Sequence, residues 1–266
     1  MSVKKEYQVK LIEKEMLGEG NVLLTFLCPE IAETAVPGQF VNLSAGLFLK
    51  RPFGVAQTNQ EKGTFSVGVR CVGEGTRLIL ESEIGDVFEV LGPLGQGFSW
   101  DGVRKVLFVG GGTGIFPVHF AQQFAAVKGI PAACVLGFRG ASDAFWVDEC
   151  EGLAEKSVFT TDNGDFGVHG NVLTGLATLR DEELLDTAVF CVGPEVMMKH
   201  VSRWALDRGL SCQVSMEKRM ACGIGICLVC VCKAKAKMKA EAGGEDYHHV
   251  RCCKEGPVMN AEDVIW

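Results

Sequence analysis

The sequence predicts a multidomain protein in which an N-terminal antiparallel β-barrel is followed by a parallel α/β domain and a small C-terminal module. Residues 7–90 are short alternating runs separated by Gly, Pro and Asn, the pattern of a small all-β barrel. From residue 103 to about 210, apolar strand-like runs alternate with helix-like segments, which indicates a parallel sheet covered by helices. The remainder, from Gln213, is rich in cysteine. We therefore expect domains at residues 1–100, 101–212 and 213–266.

Composition indicates a globular chain in a reducing compartment. Of 266 residues, 47% are hydrophobic and 22% are charged, so the chain can bury a substantial core. The start, MSVKKEYQVK, lacks an apolar secretory signal, and no stretch stays apolar for the roughly 20 residues that a membrane span needs. We expect a cytoplasmic protein. A net charge of −7 argues against nucleic acid or an anionic membrane as partner.

The barrel region carries two arginines within strand-like runs, "RPFGV" (Arg51 to Val55) and "GVRCVGEGT" (Gly68 to Thr76). A lone arginine is by default a solvated surface charge. Arg51 and Arg70, with Gly75 and Thr76 opening an apolar helix-like run, would also suit a diphosphate, because guanidinium groups pair with phosphate oxygens. The barrel is therefore a possible nucleotide site.

The first strand of the α/β region runs into a glycine-rich turn, "KVLFVGGGTGIFPVHF", and then into a helix. Such a turn aims backbone amides and the positive end of a helix at a phosphate. Pro117 stands where a Rossmann fingerprint has its last glycine, so tight packing is the competing interpretation. A second strand-to-helix turn lies at Gly193 and Pro194. Because the carboxyl ends of parallel strands share one edge, both turns are expected to face one crevice of a Rossmann-like domain.

The stretch "MACGIGICLVCVC" places Cys222, Cys227 and Cys230 at the C-x4-C-x2-C spacing of a plant-type [2Fe-2S] cluster. Gly223 and Gly225 give the loop the freedom to wrap a compact cluster. Structural zinc is the main alternative, although zinc more often shows paired C-x2-C knuckles, and ordinary buried thiols are a weaker one. Spacing alone leaves Cys232, Cys252 and Cys253 open as the fourth ligand.

These motifs resemble, over essentially the whole chain, the electron-transfer subunits of class B dihydroorotate dehydrogenase, within the ferredoxin reductase superfamily. The resemblance lies in the order R-P-x-(S/G), G-E-G-T, G-P-L-G-x-G-F, G-G-G-T-G-I-x-P, T-D-(D/N)-G, G-P-x-x-M and M-A-C-G-I-G-x-C-x-x-C. It implies an FAD-binding β-barrel, a nicotinamide-binding α/β domain and a C-terminal [2Fe-2S] module. It also implies Cys253 as the last cluster ligand, since the family's last cysteine directly precedes a charged pair and Gly-Pro, here residues 254–257.

The resemblance assigns each group a set of residues in this sequence. FAD contacts fall on Arg51, Pro52, Phe53, Gly54, Gly68, Val69, Arg70, Gly75 and Thr76. Nicotinamide-side contacts fall on Gly111, Gly112, Thr113, Gly114 and Pro117. Cluster ligands fall on Cys222, Cys227, Cys230 and Cys253. No catalytic acid–base residue is expected, because the cofactors carry the chemistry.

The function implied is electron transfer between the FMN of a separate catalytic subunit and NAD+, through the [2Fe-2S] cluster and FAD, in pyrimidine biosynthesis. The implied assembly is a heterotetramer of two catalytic and two electron-transfer subunits. A related reductase subunit of a hydrogenase or ferredoxin-dependent transhydrogenase is the alternative. From another class, the C-terminal module would be a zinc-bound interaction domain without redox activity.

Two departures from the family pattern concern the cofactor sites. Gly54 stands where serine is common, and Val192 stands where the C-G-P motif has cysteine, with Cys191 one position earlier and expected to turn away. Arg139, after a predicted strand, would suit either an NADPH 2′-phosphate or a structural role. Outside the sites, Met197 is expected in the core, and the low-complexity stretch from Lys233 to Glu245 is expected to be a solvated hairpin or loop, or less favourably a docking segment.

Overall fold

The structure, a computed structural model, describes residues 5–236 and 246–266. It begins with a closed barrel of six antiparallel strands in the order β1-β2-β5-β4-β3-β6. In β1 and β6 the side chains alternate between an apolar interior and the outside, which is why the sequence shows a period of two there, whereas β2, β3 and β5 are buried along most of their length. The barrel prediction is confirmed. Its elements are β1 (Glu6–Leu17), β2 (Asn21–Leu27), α1 (Pro29–Thr34), β3 (Phe40–Leu43), β4 (Arg51–Asn59), β5 (Thr64–Arg70), α2 (Glu74–Glu81) and β6 (Val87–Leu94).

The second layer is a seven-stranded sheet in the order β10-β9-β8-β7-β11-β12-β15, parallel except at β15. The central strands are apolar throughout because helices cover the sheet. The predicted α/β sheet is confirmed. Its elements are β7 (Lys105–Gly111), α3 (Ile115–Val127), β8 (Ala132–Phe138), α4 (Val147–Gly152), β9 (Lys156–Thr161), β10 (Val168–His169), α5 (Val172–Leu176), β11 (Thr187–Val192), α6 (Glu195–Leu206), β12 (Cys212–Ser215) and, near the C-terminus, β15 (Val258–Asn260).

The C-terminal segment is built onto this sheet rather than standing apart from it. Strand β15 pairs antiparallel with β12, and between them lie a cysteine-bearing loop and the hairpin of β13 (Val231–Lys235) and β14 (Tyr247–Arg251). The stretch predicted to be a solvated loop or hairpin begins within β13, and its residues 237–245 lie outside those described.

Close packing fixes the barrel against the sheet. The Phe98 ring, just beyond β6, stacks on Phe190 of β11 with centroids 4.5 Å apart and the planes 6° from parallel. The Gln96 amide donates a 2.6 Å hydrogen bond to the Gly256 carbonyl, so the end of the barrel also contacts the C-terminal segment. The barrel therefore contacts both the sheet and the C-terminal segment. In the part of the chain described, no helix is long and apolar enough to cross a bilayer.

Candidate functional site

A crevice of about 420 Å³ opens at the carboxyl edge of the parallel sheet. Both strand-to-helix turns line it: Gly111, Gly112 and Thr113 after β7, and Gly193 with Pro194 after β11. This confirms the expectation that the two turns face one crevice. We call it the sheet-edge cavity.

The glycines of the first turn are required by close approach and by backbone conformation. A Cβ on Gly114 would lie 2.3 Å from the Val192 carbonyl oxygen, so only hydrogen fits between α3 and β11. Gly112 has a φ of +56°, and its position has open space beside it. The turn can thus bring its amides close to a ligand phosphate at the start of α3.

A second cavity, of about 550 Å³, lies between the barrel, the start of α3 and the segment after β12, and we call it the barrel cavity. Its volume falls within the ordinary range for a cofactor pocket. Of the residues predicted to hold a nucleotide, those that line it are Arg51, Pro52, Phe53, Gly54, Gly68, Arg70, Thr76, Thr113, Gly114 and Pro117.

Two of the nine residues predicted to contact FAD do not line the barrel cavity. Val69 is fully buried within the barrel, and its neighbours on β5 supply the cavity wall instead. Gly75 lies under Arg51: a Cβ there would be 2.3 Å from the Arg51 Nε, so glycine is what lets the guanidinium settle across the start of α2. Two arginines, an aromatic side chain and glycine-lined walls fit a planar ring system that carries a diphosphate.

Arg70 spans the two domains at the mouth of both cavities. Its Nη2 donates to Oδ1 of Asp143 at 3.0 Å, and both side chains are largely buried. Asp143 lies in the turn after β8, where the Glu19 amide also donates to the Ser142 carbonyl at 2.8 Å. Arg70 is therefore a positioning contact between barrel and sheet as well as a cavity-lining cation.

The two cavities adjoin each other, because Arg70, Val72, Thr113 and Glu217 line both of them. Glu217 lies where the two cavities adjoin, and partial removal of water from its carboxyl raises the pKa of that group. Sequence reasoning missed Glu217 and the whole segment 216–220, which lines the barrel cavity. The segment could have been found from its position in the sequence, because it lies between β12 and Cys222.

The cysteine loop gathers four thiols in two pairs. Sγ of Cys222 accepts hydrogen bonds from the amides of Ile224 (3.4 Å) and Cys227 (3.5 Å), and Sγ of Cys230 accepts from the Cys253 amide at 3.5 Å. Burial opposes ionisation of Cys222, but the amides around it outweigh burial and hold the pKa of its thiol at about 6. Cys222 is thus prepared as the thiolate that binds metal.

The second pair is more deeply buried than the first. Cys230 is 2% exposed and Cys253 is fully buried, whereas Cys227 is exposed and Cys222 lies between these extremes. Burial, with the neighbouring Cys230, raises the pKa of the Cys253 thiol to about 12. Such a thiol loses its proton only when a metal replaces it.

The structure separates the three cysteines that spacing left open. Cys253 faces Cys230, while Cys232 and Cys252 contact each other, with their Sγ atoms 4.0 Å apart. Within residues 5–236 and 246–266, no three His, Cys, Asp or Glu side chains are close enough together to hold a single metal ion. Two thiol pairs suit a cluster better, since its two irons and bridging sulfides stand between the pairs.

Backbone geometry explains the loop residues. Gly223 and Gly225 have φ of +66° and +83°, and a Cβ on Gly223 would lie 2.1 Å from Nδ2 of Asn42 on β3. The loop is therefore pressed against the barrel. Leu228 also has a positive φ, +59°, although it is not glycine and its side chain is 59% exposed. A strained, exposed leucine indicates a functional role.

Two other expectations have clear outcomes. Met197, expected in the core, is half-buried and packs against the apolar core, and it also lines the sheet-edge cavity, where a Cβ on Gly111 would lie 2.6 Å from its Sδ. Val192 lines the barrel cavity, while Cys191 is fully buried on the other face of β11. Burial raises the pKa of the Cys191 thiol well above its usual value, so it is unreactive.

Comparison with known proteins gives a consistent result. Residues 217–265 match the family described as the iron-sulfur cluster binding domain of dihydroorotate dehydrogenase B. The chain is 37% identical over 234 residues to the dihydroorotate dehydrogenase B (NAD(+)) electron transfer subunit of Caldanaerobacter subterraneus subsp. tengcongensis, covering 86% of this chain and 87% of that one. It is 31% identical over 268 residues to the protein of the same name from Geobacillus thermodenitrificans, covering 97% and 98%.

Solved structures agree. An NADH-dependent reduced ferredoxin-NADP oxidoreductase superposes with a TM-score of 0.82 at 26% identity, covering 100% of this chain and 92% of that one. The ferredoxin reductase of carbazole 1,9a-dioxygenase superposes with a TM-score of 0.68 at 20% identity, covering 79% and 68%, and shares the fold.

Proposed function

Because this chain belongs to the family of dihydroorotate dehydrogenase B (NAD(+)) electron transfer subunits, we propose that it passes the electrons of dihydroorotate oxidation from a catalytic subunit's FMN to NAD+. The chain binds FAD, a [2Fe-2S] cluster and NAD(H). When bound, FAD exchanges a hydride with NAD(H) and single electrons with the cluster, which joins the two kinds of chemistry. The observation that carries the proposal is proximity: Met220, two residues before Cys222, lines the barrel cavity, and the barrel cavity adjoins the sheet-edge cavity.

Each group has its own residues in this proposal. Arg51 and Arg70 pair with the FAD diphosphate, and Gly54 and Gly68 give the ring system a flat wall. Gly111 to Gly114 orient the NAD(H) phosphates at the start of α3. Arg70, held by Asp143, keeps the two domains in fixed relation, so that the two bound ligands meet at the junction beside Glu217.

Cys222, Cys227, Cys230 and Cys253 are the proposed cluster ligands. Cys230 and Cys253 would hold the buried side of the cluster, and Cys222 with Cys227 would hold the side near the surface. Electrons would therefore pass between the cluster and a partner on the Cys222 and Cys227 side, because Cys227 is exposed and the other pair is buried. Buried apolar neighbours at the inner pair exclude water from the cluster.

The partner surface in this proposal is the exposed tip of the loop, residues 226–229. Ile226, Leu228 and Val229 are 75%, 59% and 52% exposed, and they flank the exposed Cys227. Apolar side chains around a redox group allow a close, dry contact with another protein. We infer that the catalytic subunit docks here, in a heterotetramer of two catalytic and two electron-transfer subunits. Twelve free cysteines suit a reducing cytoplasm.

The test is anaerobic reduction of the purified holoprotein. NADH should bleach the flavin absorption and also remove the iron-sulfur bands, and dihydroorotate should reduce NAD+ only after the catalytic subunit is added. If NADH leaves both chromophores oxidised, or if dihydroorotate reduces NAD+ without the partner, the proposed route is wrong.

A related reductase subunit is the second candidate, because the superposition on the NADH-dependent reduced ferredoxin-NADP oxidoreductase covers the whole chain. The two candidates differ in their partner. We expect this chain to co-purify with a dihydroorotate-oxidising subunit, and we expect that complex not to reduce ferredoxin. A stable complex with a ferredoxin-dependent flavoprotein would favour the second candidate instead.

A further inference from the structure

A second group of sulfur atoms lies next to the cysteine loop and includes none of the four proposed ligands. Sγ of Cys232, on β13, is 4.0 Å from Sγ of Cys252 and 3.7 Å from Sδ of Met259, on β15. Cys252 is fully buried and Cys232 is 8% exposed. We call these three residues the sulfur pocket.

The spacing suits a soft metal ion in three-fold coordination. A metal–sulfur bond of about 2.3 Å with trigonal angles places the sulfurs about 4.0 Å apart. Two thiols and a thioether, with no carboxylate among them, select a soft ion and not magnesium, calcium or manganese. We propose that the sulfur pocket is a binding site for a soft monovalent cation, Cu(I) or its analogue Ag(I).

A path from solvent leads to the site. A cavity of about 270 Å³ opens on the outer side of β14 and β15, and Met259 and Val250 line it. Asp263 and Glu255 also line it and attract cations, whereas Lys235 repels them. Met259 is partly exposed, so its thioether can meet the ion first and pass it inward to Cys232.

The sulfur pocket shares backbone with the proposed cluster site but no sulfur atom. The Cys252 amide donates to the Cys230 carbonyl at 3.0 Å, and the Cys252 side chain points toward the Met216 carbonyl, 3.8 Å away. Its neighbour Cys253 faces Cys230 instead. Binding therefore requires no displacement of iron. Each thiol that binds releases one proton to solvent, and the copper stays Cu(I), so no oxidant or reductant is consumed.

The experiment uses the holoprotein under anaerobic conditions, with Cu(I) supplied from a chromophoric chelator. The chain should withdraw one Cu(I) from the chelator while its iron and flavin contents stay constant. Met259→Leu, which conserves side-chain volume, and Cys232→Ala should each weaken Cu(I) binding by about tenfold or more. Cys212→Ala, another buried cysteine on β12, is the matched control and should bind as the wild type does.

Three results would overturn the proposal. They are no uptake of Cu(I), uptake that the Met259 and Cys232 substitutions leave unchanged, and uptake with equal loss of iron in wild type and Met259→Leu. If Cys232→Ala does not fold, Met259→Leu decides the question. X-ray absorption at the copper edge gives the second measurement: neighbours at about 2.3 Å that are sulfur only support the site, and nitrogen neighbours contradict it.

Discussion

Gly68 on β5 gives the sharpest test of how the barrel meets α3. A Cβ added there would lie 2.1 to 2.2 Å from three ring atoms of Phe116. The ring cannot withdraw, because Phe116 is 1% exposed and its centroid lies 4.8 Å from that of Phe145 and 5.3 Å from that of Trp146. Overpacking costs about 1–3 kcal/mol, and a contact this short belongs at the upper end, so Gly68→Ala should lose about 3 kcal/mol.

The assay is thermal unfolding of the holoprotein together with its flavin content. At about 2–4 °C per kcal/mol for a chain of this size, Gly68→Ala should lower Tm by about 6–12 °C. Flavin content should also fall, because Phe116 lines the barrel cavity. Gly152→Ala, at the end of α4, is the control: its Cβ would meet no atom within 4 Å, so Tm should change little. Equal shifts in the two variants, or a Gly68→Ala shift under about 2 °C, would refute the packing argument.

Three further predictions follow from the same geometry. Gly75→Ala should weaken FAD binding about tenfold, because its new Cβ would lie 2.3 Å from the Arg51 Nε and would displace that side chain. In a titration of the apoprotein with FAD, the double variant Gly75→Ala with Arg51→Ala should bind only slightly more weakly than Gly75→Ala alone. Leu228→Gly should weaken binding of the catalytic subunit about tenfold in calorimetry, since it removes an exposed leucine, while stability changes little because glycine relieves the φ of +59°. Burial lowers the pKa of His119 to about 4, so the unfolded chain binds more protons than the folded chain as pH falls below about 6.5. Between pH 7 and pH 5 the free energy of unfolding should therefore fall by about 2 kcal/mol more in the wild type than in His119→Gln. Parallel plots of Tm against pH for the two proteins would contradict this.

Local sequence patterns were sufficient to predict the architecture. The period of two in β1 and β6 and the unbroken apolar runs of β7 and β11 reflect one-sided and two-sided burial, and these are properties of each strand by itself. The pairing of β15 with β12 is different, because it joins residues 47 positions apart in the register Gln213 to Asn260 and depends on the path of the whole C-terminal segment. Only the folded chain could reveal it.

The candidate site shows the same division. The turn at Gly111 to Gly114 can be predicted from the local sequence, because the strand, the glycines and the helix follow one another directly. The positions of Glu217 and Phe116 cannot be predicted in this way, because each lines a cavity only after barrel, helix and loop have packed together. That Met197 also lines a cavity could not be predicted, because the spacing of apolar residues on α6 shows which face is apolar but not whether a crevice lies against it.

The central claim is that Cys222, Cys227, Cys230 and Cys253 hold the cluster, and adjacent residues provide its most direct test. Iron content and the paramagnetic resonance signal of the reduced, anaerobically purified protein should be compared for Cys253→Ser and Cys252→Ser. We expect Cys253→Ser to lose most of its iron and the wild-type signal, and Cys252→Ser to keep two irons per chain with an unchanged signal. If Cys253→Ser keeps the wild-type signal, or Cys252→Ser is the variant that loses it, the proposed ligand set is wrong.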